Sequence, residues 1–225
     1  MKELKETILG VFKSDEKISS LQMTLTLLLI LCLVLSNIVV VKSIDLFGIP
    51  ALANTASFIV FPITYILSDV FSEVYGYKWS RKTATWAFLG TALCSLVFGI
   101  TIAIPGNSSW VNQDALVAIL GQTPKILIAS LLAFWFGDWA NDKVFQLMKN
   151  RSHGEKGFLF RAIGSSLVGK YVDGIIFTFI GLSFLPLQTK LIMVANCPFI
   201  QVCLETILFP LTNLVAKKVK KIENL

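Results

Sequence analysis

Long apolar stretches separated by short polar segments make up the hydrophobic pattern of this chain. Each stretch holds roughly 20 residues, enough to cross ~30 Å of hydrocarbon at ~1.5 Å per helical residue. The pattern predicts six transmembrane helices, at 21–41, 50–73, 83–104, 124–147, 161–184 and 190–215. We therefore expect an all-α integral membrane protein with a transmembrane domain over 21–215, preceded by a segment at 1–20 and followed by a basic tail at 216–225.

Composition supports this class. Hydrophobic residues make up 55% of the chain and charged residues only 15%, whereas about 25% of the residues of a soluble domain are charged. The first span follows a segment rich in Lys and Glu and has no small-residue cleavage site after it, which indicates a retained helix rather than a signal peptide. The four cysteines all fall within predicted spans without metal-ligand spacing, which is typical of packing residues.

The sequence lacks the usual signatures of enzymes. The single histidine, His153, lies in a polar loop, so neither an HExxH motif nor a Ser/His/Asp or Cys/His catalytic set is expected. No glycine-rich loop of the kind that binds phosphate is found either, which argues against ATPase activity of this chain alone. We predict a non-enzymatic protein without cofactor or metal.

The distribution of Lys and Arg predicts the topology. Fifteen of the 20 basic residues lie in the segments 1–20, 74–82, 148–161 and 216–225, which alternation of the six spans places on one side of the membrane. Cytoplasmic segments carry an excess of Lys and Arg. Both termini are therefore predicted to be cytoplasmic.

Charged and amide side chains interrupt three of the apolar spans. They are Asp138, Asn141 and Asp142 on one face of the fourth span, Lys170 and Asp173 in the fifth, and Glu205 in the sixth. An ionised side chain at the centre of a bilayer costs about 2.5–3.5 kcal/mol on insertion scales, so these groups are expected to line a shared interior rather than face lipid. Helix geometry places Asp138, Lys170, Asp173 and Glu205 ~14–18 Å from the predicted cytoplasmic helix ends. We predict one binding site near the midplane.

The second span ends in FPITYILSDVFSEVYG, residues 61–76. Asp69 and Glu73 are four residues apart and share a helix face, and a kink at Pro62 would turn that face inward. We interpret these two carboxylates, together with Asp142, as an inner gate or a proton-coupling group. The alternative is that they are solvated helix-end charges which interact with the basic loop that follows.

A short internal similarity joins the fourth and fifth spans. Residues 136–145, FGDWANDKVF, align without gaps on 168–177, VGKYVDGIIF, so that Gly137 matches Gly169. The two helices cross the membrane in opposite directions, and inverted repeats are common in secondary transporters. Coincidental spacing of glycine and aromatic residues is the alternative.

The same alignment pairs Asp138 with Lys170, which have opposite charges at equal depth. Each charge alone would be expensive inside the membrane, so we predict an intramembrane salt bridge between them. Alternatively, Lys170 extends its ammonium group to the cytoplasmic interface.

Three blocks of the sequence resemble the YhhQ family of queuosine precursor transporters, also grouped as vitamin uptake transporters. They are FPITYILSDVFSEVYGYKWSRK, ASLLAFWFGDWANDKVFQLMK and RAIGSSLVGKYVDGIIF, within a resemblance that runs from Ser36 to Pro210. The resemblance implies a six-span carrier of the bacterial inner membrane that imports 7-deazaguanine bases, namely the cyano or aminomethyl precursors of queuosine, or queuine. Lys170 and Gly174 depart from the family pattern, in which Gln and Thr are common.

Such a base suits the interior residues. Its ring N–H and exocyclic amine can donate to one carboxylate, its carbonyl oxygen accepts from Asn or Lys, and its flat face can stack on an aromatic ring. We expect substrate contacts from Asp138, Asn141, Asp173, Glu205, Lys170, Trp139 and Tyr171. For the tryptophan, packing or lipid contact is the alternative.

A carrier of a nucleobase-like molecule that acts alone in the lipid bilayer is the function predicted, with no nucleic-acid partner and with the oligomeric state left open. The alternative is a substrate-binding membrane subunit of an energy-coupling-factor vitamin importer, which would copurify with a separate ATPase module. An intramembrane enzyme is the least favoured class, because no catalytic arrangement is recognised.

Overall fold

Long helices form most of the structure, a computed structural model that describes residues 18–151 and 158–224. The α-helices of these residues are α1 Ser20–Val39, α2 Phe61–Val70, α3 Gly76–Ala103, α4 Gln113–Leu120, α5 Thr123–Arg151, α6 Phe158–Ile176 and α7 Leu187–Glu223. Short π-helical turns, Phe71–Tyr75 and Phe177–Gly181, follow α2 and α6. Most of the predicted segment 1–20, and the middle of the loop 148–161, lie outside the described residues.

Several helices have the length and composition of membrane spans. Four stretches of the described residues are long and apolar enough to cross a membrane: Ser20–Val39, Lys78–Ala103, Gln113–Met148 and Leu187–Glu223. They match the first, third, fourth and sixth predicted spans, and the expectation of a mainly helical membrane protein is confirmed. The last helix also continues through the basic residues of the predicted tail to Glu223.

The second predicted span, 50–73, is not a continuous helix. Residues Ser43–Asp45 and Ala53–Thr55 form two antiparallel strands, β1 and β2, joined through short 3-10 turns. Helix α2 begins only at Phe61 and has Pro62 in its first turn. Proline fits that position because its fixed φ is helical and its missing N–H would be unpaired there anyway. The expectation of a kink at Pro62 is therefore wrong, since the proline starts the helix.

The chain reverses direction between α2 and α3. Gly76 has a φ of 79°, which glycine adopts at little cost because it has no Cβ, and α3 begins directly at this residue. The prediction of a loop over 74–82 is therefore wrong, because residues from Gly76 onward are helical. Arg81 lies on the first turns of α3, so its side chain can reach into the bundle.

One end of the bundle, here called the terminal end, holds both described chain ends. Ser19 accepts a hydrogen bond from the Gln22 N–H (2.9 Å) and donates to Glu223 Oε1 (2.5 Å). The Tyr75 hydroxyl donates to the same oxygen at 3.1 Å. Burial, followed by this carboxylate, raises the pKa of Tyr75 to about 12, so the phenol stays a neutral donor. These contacts tie the start of α1 and the turn after α2 to the end of α7.

The opposite end, here called the hairpin end, is closed by β1 and β2. Ala53 of β2 packs with Val40, Ile126, Leu182 and Met193 in one buried cluster. These residues come from the end of α1, the starts of α5 and α7, and the turn after α6. The hairpin is thus part of the hydrophobic core at this end.

Helices α5 and α6 cross at a pair of glycines. A Cβ placed on Gly137 would lie 3.0 Å from both the Gly169 carbonyl oxygen and Asp173 Cβ. A Cβ placed on Gly169 would lie 2.9 Å from both the Gly137 carbonyl oxygen and Asn141 Cβ. In the internal similarity, Gly137 matches Gly169 and Asn141 matches Asp173, so the neighbours of one glycine correspond to those of the other. Antiparallel backbones approach this closely because neither glycine has a side chain.

Candidate functional site

A cavity of about 520 Å³ lies within the helix bundle. Its wall follows helical periodicity. Helix α5 contributes Ser130, Phe134, Gly137, Asp138 and Asn141, and α6 with its π-turn contributes Ser166, Gly169, Lys170, Asp173 and Phe177. Helix α7 adds Gln201 and Glu205, α2 adds Phe61, Tyr65, Ser68 and Asp69, and residues of α1, α3 and the hairpin segment complete the wall. Five predicted substrate-binding residues, Asp138, Asn141, Asp173, Glu205 and Lys170, are therefore brought together, with Asp69 beside them.

The lysine on α6 forms the first ion pair of the cavity. Lys170 Nζ donates to Glu205 Oε1 at 2.5 Å, and the two side chains are only 19% and 34% exposed. The same ammonium lies 5.3 Å from the centre of the Tyr65 ring, within the range of a cation–π interaction. The alternative in which Lys170 extends to the interface is thereby excluded.

An arginine on α3 forms the second ion pair. Arg81 Nη2 donates to Asp138 Oδ2 at 2.9 Å, with both side chains about 40% exposed. The guanidinium lies 5.4 Å from the centre of the Phe134 ring. The predicted Asp138–Lys170 salt bridge is therefore wrong. Asp138 pairs with a residue of α3, and Lys170 pairs with a residue of α7. The equal depth of Asp138 and Lys170 in their helices does not reveal these partners.

Two further carboxylates on the wall lack such partners. Within the described residues, neither Asp69 nor Asp173 makes a hydrogen bond or ion pair, although both interact electrostatically with Lys170. The Asn141 side-chain oxygen is buried and accepts no hydrogen bond from the described residues. The cavity therefore presents three acceptor groups without protein donors.

Aromatic rings form part of the wall. Phe61 and Tyr65 stack with ring centres 5.8 Å apart and planes 22° apart, and Phe88 and Phe134 meet at 6.0 Å and 55°. These pairs offer flat apolar surfaces beside the charged groups.

The structure does not bring the two predicted aromatic contacts to the cavity. Trp139 is 59% exposed, because it lies about 100° around α5 from Asp138 and so leaves the cavity face. Trp135, also on α5, is 68% exposed. The Tyr171 hydroxyl donates to the Ala195 carbonyl at 3.1 Å instead.

Two predicted gating residues also lie away from the cavity. Asp142 is exposed on α5 and, unlike Asn141 next to it, does not line the wall, so the expected common face for Asp138, Asn141 and Asp142 is wrong in part. Glu73 is one turn beyond Asp69, toward the terminal end, and pairs with Lys220 of α7 at 2.6 Å. It does not interact with the basic segment that follows it.

The resemblance to a known family is confirmed by sequence comparison. A family described as "Putative vitamin uptake transporter" matches residues 55–215, most of the chain. This chain belongs to that family. The helices of the described residues that are long and apolar enough to cross a membrane agree with membership of a membrane-protein family.

One curated relative of this chain has a more specific name. A protein of Bacillus subtilis (strain 168), named "Probable queuosine precursor transporter", is 32% identical over 148 residues. The match covers 64% of this chain and 62% of the relative. No solved structure shows significant similarity to the chain.

The arrangement suits recognition of a small molecule by a transporter. Binding sites of 300–1,000 Å³ with mainly apolar walls and a few placed polar groups are typical for such ligands, and this cavity falls in that range. No group of three or more His, Cys, Asp or Glu side chains in the described part of the chain is placed to hold a metal ion. Ion pairs and aromatic rings are therefore the available recognition chemistry.

Three cavity residues of the transporter were not identified from the sequence. Phe61 and Tyr65 lie eight and four residues before Asp69, respectively, and this spacing already places them on its helix face. The sequence pattern predicts a cytoplasmic loop around Arg81, because its charge fits the topology. No local pattern indicates that its side chain turns inward to Asp138.

Proposed function

We propose that this transporter imports a 7-deazaguanine base, a precursor of queuosine or queuine itself, across the bacterial inner membrane. The observation that carries the proposal is the cavity, where carboxylates, amides and aromatic rings from six helices surround a space suited to a planar polar molecule. The name of the Bacillus subtilis relative supports this substrate class.

The binding groups of the proposed site divide by chemistry. The ring N–H and exocyclic amine of the base would donate to Asp138, since a carboxylate matches two adjacent donors. The orphaned Asn141 oxygen supplies a further acceptor. The stacked pair of Phe61 and Tyr65 would contact the face of the base.

Six spans with both termini in the cytoplasm form the proposed topology. The short helix α2 with its preceding hairpin segment and helix α6 with its π-turn are the two spans that add to the four long apolar stretches. The terminal end then faces the cytoplasm, where Lys217, Lys218, Lys220 and Lys221 follow the expected positive bias.

Two ion pairs are proposed to close the cytoplasmic side. Arg81 and Asp138 join α3 to α5 at the cavity, and Glu73 and Lys220 join the turn after α2 to α7. Substrate that binds Asp138 would compete with Arg81 and release α3 from α5. Asp69, at the cavity end of the same region, would sense that change. Among the described residues, Asp142 makes no contact that supports such a role.

The symmetric crossing of α5 and α6 supports an inverted repeat in the proposed mechanism. Gly137 contacts Asp173 as Gly169 contacts Asn141, and in many secondary transporters a substrate site lies between such repeats. The two helices would move together, because their backbones are in direct contact.

Uptake in a bacterium that makes no queuosine precursor and has lost its own importer tests the proposal. The transporter is expressed, each 7-deazaguanine base is supplied separately, and queuosine is measured in tRNA. Modification that depends on the transporter is expected with at least one base. No modification with any base, despite confirmed membrane insertion, would contradict the substrate class.

The alternative, a subunit of an energy-coupling-factor importer, is tested in the same cells. A carrier that acts alone restores queuosine in a strain without any such ATPase module. Loss of uptake in that strain, together with copurification of an ATPase from the native host, would favour the subunit.

A further inference from the structure

Negative charge exceeds positive charge at the cavity wall. Among the described residues, four carboxylates line the cavity: Asp69, Asp138, Asp173 and Glu205. Two cations reach it, and each is already paired, Lys170 with Glu205 and Arg81 with Asp138. Two carboxylates therefore lack a counter-ion among these residues.

An unbalanced carboxylate is costly in this position. Taking an ionised group out of water costs several kcal/mol unless an opposite charge or hydrogen-bond donors compensate. Asp69 and Asp173 have neither from the described residues, and both are close enough to Lys170 to interact with it electrostatically. One lysine thus serves three carboxylates. Asp69 is also exposed to water, whereas Asp173 is only partly exposed, so a cationic ligand would compensate the charge of Asp173 most.

Three acceptor groups at this part of the wall have no hydrogen-bond donor among the described residues. They are the Asp69 and Asp173 carboxylates and the Asn141 side-chain oxygen. Asn141 and Asp173 occupy matched positions at the glycine crossing of α5 and α6, while Asp69 approaches from α2. A group with several N–H donors can satisfy acceptors that converge from different helices, and an ammonium has three donors.

We propose that the cargo is a planar base that carries a protonated amine, and that Asp69 and Asp173 bind this amine. The inference rests on the proposed function and narrows its substrate. The flat part of the molecule then lies against Phe61 and Tyr65, which are on the same helix face as Asp69. Among 7-deazaguanines, the aminomethyl precursor and queuine carry such a charge, whereas the cyano precursor does not.

Competition binding to the purified transporter in detergent tests charge selection. Radiolabelled aminomethyl base is displaced by unlabelled aminomethyl base, by the cyano base and by the N-acetylated aminomethyl base, which keeps the ring but loses the charge. We expect the aminomethyl base to bind at least tenfold more tightly than either neutral compound. Equal or tighter binding of the cyano base would overturn the inference, while the proposed transport function would stand.

Failure of the proposed function gives a different result. If none of the three compounds binds to protein that shows cooperative thermal unfolding, the substrate class is wrong and the inference falls with it.

Substitution of the two carboxylates tests their assignment. Asp173→Asn is expected to weaken binding of the aminomethyl base tenfold or more and to change binding of the cyano base less than twofold. Asp69→Asn should act in the same direction and carries the test if Asp173→Asn does not fold. Asp114→Asn, at an exposed position on α4, is the matched control and should change neither affinity. Equal weakening of both bases by the two cavity variants would mean that the carboxylates have a structural role, and would overturn the assignment.

Discussion

Two lysine–glutamate pairs have almost the same geometry and very different surroundings. Lys170 and Glu205 are 2.5 Å apart in the cavity with side chains 19% and 34% exposed, whereas Lys220 and Glu73 are 2.6 Å apart at the terminal end with side chains 38% and 65% exposed. Water can solvate the second pair if it breaks, but little of it reaches the first. Environment, rather than distance, therefore decides how much each pair contributes.

The comparison also extends to what lies around each pair. Lys170 contacts the Tyr65 ring and interacts electrostatically with Asp69 and Asp173. The described contacts of Lys220 consist of the bond to Glu73 on the neighbouring element. Loss of one cation affects three carboxylates in the cavity and one at the terminal end.

The largest effect is expected from Lys170→Ala. The substitution leaves Glu205 unpaired and removes the positive charge near two other carboxylates, so we expect a loss of roughly 2–4 kcal/mol in the free energy of unfolding. Thermal unfolding in detergent, followed by the fluorescence of the five tryptophans, measures the change.

The double variant Lys170→Gln/Glu205→Gln separates pairing from the loss of either side chain. It removes both charges and should be more stable than Lys170→Gln alone, since no unpaired ion of this pair remains. A double variant that loses the sum of both single effects would show that the pair contributes no coupling.

The hydrophobic pattern of the sequence predicted most of the long helices around the two ion pairs. The apolar stretches located α1, α3, α5 and α7, because length and hydropathy are local properties. The cost of interior charge correctly placed Asp138, Lys170, Asp173 and Glu205 around one cavity. Sequence thus predicted which residues meet.

Partner choice could not be predicted in the same way. Arg81 reaches Asp138 only because α3 begins at Gly76 and lies beside α5, which depends on tertiary packing. The choice of Trp139 as a stacking residue was avoidable, since helical phase already separates it from Asp138.

The next largest effect is expected from Gly137→Ala, which moves the cavity without changing its charge. The new methyl group would lie 3.0 Å from the Gly169 carbonyl oxygen and Asp173 Cβ, so α5 and α6 must separate at a cost of roughly 1–3 kcal/mol. Both the free energy of unfolding in detergent and the uptake of the base are expected to decrease. Gly99→Ala on α3 is the control, because no atom lies within 4 Å of its added Cβ; equal losses in the two variants would contradict the role of the crossing.

A smaller change in stability is expected from Arg81→Gln. Both members of the Arg81–Asp138 pair are about 40% exposed, so the loss should be about 1 kcal/mol or less. Uptake should change more than stability, because the proposed barrier between α3 and α5 is opened. Efflux of preloaded base from proteoliposomes measures the leak. Unchanged transport in Arg81→Gln would argue against the gate.

The smallest effect is expected from Lys220→Gln at the terminal end. Its partner Glu73 is well solvated, and a solvated pair contributes little after side-chain entropy and ionic screening. The melting temperature of Lys220→Gln should therefore lie close to that of the unmodified chain. The remaining difference in melting temperature should disappear as salt is raised from about 0.05 M to 1 M, because the Debye length falls to about 3 Å at 1 M. The difference caused by Lys170→Gln should persist over the same range, because salt screens a partly buried pair much less. If both differences vanish together, the cavity pair is as accessible to water as the terminal one, and the distinction drawn from their surroundings fails.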